Sequence, residues 1–134
     1  MDFIGGVFYD EVSKKIIVIG DNFDNKKGII GYIKDQVFTQ IDSTGKNVIG
    51  LIADNTLFYY IGNRLYQYDL NSGERKLVFT PKTGAFYSDY YHNISYDREG
   101  NVLLFHYSYR NLIGRLNVSS VLFNLTTKQY YMEK

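Results

Sequence analysis

Apolar and polar residues alternate with a period of two along much of the chain. Tyr66, Tyr68 and Leu70 are interleaved with Gln67 and Asp69, and Phe105, Tyr107 and Tyr109 with His106, Ser108 and Arg110. That period puts successive side chains on opposite faces of a strand. Residues 16–19, Ile-Ile-Val-Ile, are instead continuously apolar, the pattern expected of a strand buried on both faces. Turn-formers separate the runs: Asp54-Asn55, Gly62-Asn63, Asn71-Ser72-Gly73, Arg98-Glu99-Gly100-Asn101 and Thr126-Thr127. No stretch carries a helical stripe with caps. The pattern predicts an all-β chain.

Aligning the turns exposes a repeat. An aspartate closes a short strand at Asp10, Asp54 and Asp97, at separations of 44 and 43 residues. After each comes a tight turn and a strongly apolar strand, at 15–20, 56–61 and 102–109. A third strand follows at 29–34, 64–70 and 118–125, and a shorter fourth at 36–41, 74–80 and 128–132. Three units of four antiparallel strands, approximately 3–41, 47–80 and 92–132, have the period and strand count of propeller blades.

Residues 64–74, Arg-Leu-Tyr-Gln-Tyr-Asp-Leu-Asn-Ser-Gly-Glu, resemble the third strand and turn of many bacterial β-propeller repeats, where an aromatic strand ends in Asp and an Asn/Ser-Gly turn. Thr126-Thr127-Lys128 after Phe123-Asn124-Leu125 is similar to a degenerate copy. The resemblance implies three blade-like sheets in a partial β-propeller; an irregular β-sandwich or barrel is the alternative. Closed propellers carry about four to eight blades. Three would leave end faces with exposed apolar surface, to be covered in a head-to-tail homodimer or tolerated in an open arc or compact monomer.

Length and charge narrow the function. With 134 residues the chain is the size of one domain, spanning 1–134. Lys and Arg number 15 against 14 Asp and Glu, a net charge of +1, so no positive field is concentrated enough for nucleic acid or an anionic membrane. Cys is absent, which removes disulfides, thiolate zinc sites and thiol catalysis. No basic segment followed by an apolar stretch opens the chain, and the longest apolar runs are too short to span a bilayer as a helix. A cytoplasmic protein is expected.

Candidate chemistry is sparse. His92 and His106 lack the spacing and companions of a metal site. Residues 21–25, Asp-Asn-Phe-Asp-Asn, resemble a calcium loop, but Phe23 interrupts the alternation and Tyr32 stands where the bidentate Glu belongs. No serine has a nucleophile-elbow context, and no glycine-rich phosphate loop is present. Recurrent turn aspartates fit capping of their own backbone. Asn93, Asn117 and Asn124 open sequons that, without a secretory route, are chance matches. No catalysis and no cofactor are expected.

What remains is a surface. In up-and-down units the longer connections, at 21–28, 42–46, 62–63, 81–91 and 110–117, share one end, and long ordered loops are commonly kept for binding. Residues 86–91 hold four aromatics in six positions, and tyrosine is enriched at recognition surfaces. A plug folded back onto the sheets is the competing use of these rings. The expected partner-binding residues are Asp21, Phe23, Asp24, Tyr87, Asp89, Tyr90, Tyr91, Arg110 and Arg115. The expected function is recognition of another protein, as by an inhibitor or a toxin-neutralising immunity protein. The alternative is a carbohydrate-binding lectin built as a multi-bladed propeller. A lectin repeats its site in each blade, whereas the loops at 21–28, 62–63 and 110–117 share neither length nor residues.

Overall fold

The computed structural model describes residues 3–22, 27–42, 48–61, 64–80, 90–110 and 113–132. Among the described residues every regular element is a strand, and the strands form three antiparallel four-stranded sheets. Sheet 1 holds β1 (Phe3–Asp10), β2 (Lys15–Asn22), β3 (Lys27–Lys34) and β4 (Val37–Gln40). Sheet 2 holds β5 (Val48–Ala53), β6 (Thr56–Ile61), β7 (Arg64–Asp69) and β8 (Arg75–Phe79). Sheet 3 holds β9 (Tyr90–Asp97), β10 (Val102–Arg110), β11 (Leu116–Asn124) and β12 (Tyr130–Met132). Each sheet is ordered as its strands occur in the chain, and none closes into a barrel. The chain divides into two compact units, Met1–Phe79 with sheets 1 and 2 and Thr80–Lys134 with sheet 3. Among the described residues no helix is long and apolar enough to cross a membrane.

The turns explain why strands end where they do. In sheet 2, Asp69 Oδ1 accepts from the backbone N–H of Asn71 and Ser72, both at 2.8 Å, and Ser72 Oγ accepts from Glu74 N. Sheet 3 repeats this: Asn124 Oδ1 accepts from Thr126 N and Thr127 N, and Thr127 Oγ1 from Gln129 N. The fourth loop residue is left-handed in each, Gly73 at φ +76° and Lys128 at +63°. Even the bonds to the neighbouring hairpin correspond, Leu70 N to Asn55 O and Leu125 N to Asn101 O. Asp10 and Asp97 cap similar loops through Ser13 N and Gly100 N. Asp54 does not. It and Asn55 form a two-residue turn, at φ +47° and +40°, the geometry that suits the twist of a tight hairpin. The aspartate at 54 therefore sits inside a turn rather than at a strand end, and Asn55, not Asp54, corresponds to Asn101.

The core of the first unit joins sheets 1 and 2. Ile17, Ile19 and Ile30 pack with Val48, Leu57, Tyr59, Tyr68 and Leu70. Gly50 permits the approach: a Cβ there would lie 3.0 Å from Ile19 Cδ1 and 2.8 Å from Phe58 O. Sheet 2 also buries its opposite face, through Phe58, Tyr60, Leu65 and Phe79. In sheet 1 only one face is buried. Ile17 and Ile19 are covered, but their neighbours Ile16 and Val18 are half-buried, which corrects the two-face burial expected of 16–19. Lys15 is also buried, with Nζ donating to Leu70 O at 2.5 Å and lying 4.3 Å from the Tyr32 ring centroid. Sheet 3 buries Leu103, Phe105, Val121 and Phe123, which share one face by register.

Candidate protein-binding faces

Phe23, Asp24, Tyr87 and Asp89 lie outside the described residues. Four others prove to be strand residues rather than loop residues. Asp21 pairs with Ile4 and Gly28 in sheet 1. Tyr90 and Tyr91 open β9 opposite Ser108 and Tyr107, and Arg110 ends β10 opposite Leu116. The physical reason is that a ladder bonds through its backbone, so it runs on through polar and aromatic side chains that read as loop. Arg115 is an exposed loop residue as expected. The fold thus gathers Tyr90, Tyr91, Arg110 and Arg115 at one end of sheet 3. Asp21 belongs to the other compact unit.

At that end the β10–β11 ladder runs up to its connection, with Tyr109 paired to Asn117 and Arg110 to Leu116. The connection spans residues 111–115. Within it Ile113 is 85% exposed, Gly114 takes φ +81°, and Arg115 precedes β11. An apolar tip beside a guanidinium can enter a shallow pocket and pair with a carboxylate at its rim.

Two polar clusters carry no signal in the sequence. Beyond β4, Asp42 Oδ2 accepts from Tyr59 Oη at 2.7 Å and pairs with Arg75 at 2.6 Å. Tyr59 stacks on Tyr66 at 5.4 Å, and the Arg75 guanidinium lies 4.9 Å from the Tyr66 ring centroid. Burial first, and then the hydrogen bond to Asp42, hold the Tyr59 hydroxyl far above the usual tyrosine range, so it stays a donor. The bond to Asp42 likewise raises Arg75. This cluster fastens the segment after sheet 1 onto sheet 2. In sheet 3, register places His106 opposite Ser120, with Nδ1 and Oγ 2.8 Å apart. Among the described residues Ser120 is the imidazole's one hydrogen-bonding partner. Fourteen residues of separation gave no hint of that pairing.

No protein-family model matches the chain, and no curated protein matches it. Its function rests on its own residues.

Proposed function

We propose that the chain is a protein-binding module of partial β-propeller type, recognising a partner protein through the loop-rich end of its third sheet. The observation that carries this reading is the β10–β11 ribbon tip with Ile113 held out in solvent. Anchors of this kind bury their side chain in the partner's pocket and exclude water around a charged neighbour. Arg115 supplies the charge, and Tyr90 and Tyr91 start the adjacent strand. A single recognition end on a chain of this size suits an inhibitor or a toxin-neutralising immunity protein.

The test uses the whole chain as bait, identifies the captured protein, and measures affinity with that protein purified. Ile113→Asp is expected to weaken binding roughly thirtyfold, about 2 kcal/mol, while melting like the parent because the side chain is exposed. Arg115→Ala is expected to weaken it less. Replacing Arg98 and Glu99 by Ala, in a turn at the opposite end of sheet 3, should leave affinity intact. Equal affinity of the Ile113→Asp variant would overturn the reading.

A further inference from the structure

The edge strand of an open sheet presents backbone N–H and C=O groups that no ladder uses, a template for one more strand. Among the described residues six strands are edges, and five of them are blunted. β4 and β12 are four and three residues long. β8 opens on Arg75 and Lys76, and its ladder shifts register between Leu65 and Tyr66. The β9 ladder shifts between His106 and Tyr107. β5 lies against sheet 1, with Val48 in the shared core and Gly50 beside Ile19. Shortness, charge, bulges and cover are the usual protections of an edge.

β1 has none of these. All eight of its residues pair with β2 without a register shift, from Phe3 with Asn22 to Asp10 with Lys15. Its sequence, Phe-Ile-Gly-Gly-Val-Phe-Tyr-Asp, holds no proline and a single charge. That charge, Asp10, is at the strand's end and turns back to accept from Ser13 N. Large uncharged side chains stand exposed on both of its faces, Val7 at 71% and Tyr9 at 58% on the bare face of sheet 1 and Phe8 at 40% on the other. An occupant of this edge must therefore match apolar side chains on two faces at once. A second β1 does so. Two identical strands related by a twofold axis run antiparallel, each N–H facing a C=O of the other, and no like charges meet at the middle of the join.

We propose that two copies of this chain join edge to edge, β1 of one pairing antiparallel with β1 of the other, so that two copies of sheet 1 become one continuous eight-stranded sheet. With the axis at Gly6 or Val7, position 7 of one copy lies opposite or diagonal to position 7 of its mate. An edge contact buries less than the roughly 800 Å² per partner of a standard interface, so the pair is weak and dissociates on dilution. β1 belongs to the compact unit that does not hold the Ile113 tip, and the pairing does not depend on that tip.

Light scattering and amide hydrogen exchange on the full chain, from about 10 μM to about 1 mM, test this. The mass should rise from 15.6 kDa toward twice that value. Over the same range alternate backbone amides of β1, those pointing away from β2, should gain protection. Val7→Lys and Phe8→Lys, on opposite faces of the one strand, should each raise the dissociation constant at least about tenfold by setting like charges across the join. Mixing Val7→Lys with Val7→Glu copies should restore pairing. Phe38→Lys, on the bare face but in β4, should leave it unchanged. All three positions are exposed in the single chain, so infrared spectra at low concentration should match the parent. A parent that stays at 15.6 kDa up to about 1 mM would overturn the proposal. So would β1 amides that gain no protection, or a dimer that survives Phe8→Lys and is lost with Phe38→Lys, since the chains would then pair through the bare face.

Discussion

Strands β2 and β6 carry equally apolar runs, Ile16-Ile17-Val18-Ile19 and Leu57-Phe58-Tyr59-Tyr60, yet they are buried differently. All four residues of the second run are buried, whereas in the first only Ile17 and Ile19 are. A continuous apolar run states that a strand can be buried on both faces; it does not supply the second cover. The difference lies in what reaches each face, a property of the fold and not of the strand. It also makes the bare face of sheet 1 informative, because its apolar residues are not used within the unit that holds it.

Paired truncations would break or sharpen this comparison. In sheet 2, Leu57→Ala and Phe58→Ala sit side by side on opposite faces, and each should cost about 2–5 kcal/mol in denaturant melts. In sheet 1, Ile17→Ala should cost a similar amount, while Val7→Ala should stay within about 0.5 kcal/mol. A large Val7 penalty would mean that the face is covered after all.

A smaller effect tests how sheet 1 is joined to sheet 2. Lys15→Met keeps the aliphatic stem but removes the donor to Leu70 O and the charge over Tyr32. A loss of about 1–3 kcal/mol is expected, since the carbonyl loses its partner. An unchanged melting temperature would show that packing alone holds the junction.

The smallest effect concerns the turns. The backbone N–H groups of Ser72 and Asn71 hold the Asp69 carboxyl below its usual range. Its folded value is depressed, so its contribution is full above the unfolded value of about 4 and fades as pH falls through the folded one. Asn124 performs the same capping without a charge. Asp69→Asn should therefore melt like the parent at neutral pH and lose less stability on acidification. A variant whose acid profile matches the parent's would show that Asp69 does not contribute to it.

The strand pattern and the turn chemistry were legible because both are local. Alternation of Tyr66, Tyr68 and Leu70 marked β7, and the likeness of Asn71-Ser72-Gly73 to Thr126-Thr127-Lys128 corresponds to matching capping networks. The aspartate alignment at 54 misled because Asp-Asn suits two turn types, and only the backbone dihedrals distinguish them. Strand ends among Asp21, Tyr90, Tyr91 and Arg110 were misread because ladder bonds leave no mark on side-chain type. Of the candidate site, Arg115 was found by its place in a loop. Ile113 lay within the expected 110–117 loop and was missed because the site was sought among aromatic and charged residues, and only the fold shows that this apolar side chain is exposed.

The sequence by itself determined the strand class, the three four-stranded sheets and most of the turns, since periodicity and backbone capping act over a few residues. The tertiary structure decided which apolar faces are covered, that Lys15 is buried beside Tyr32, and that Asp42 meets Tyr59 and Arg75. These depend on residues far apart in the chain, brought together by sheet register and packing, and no local pattern encodes that distance.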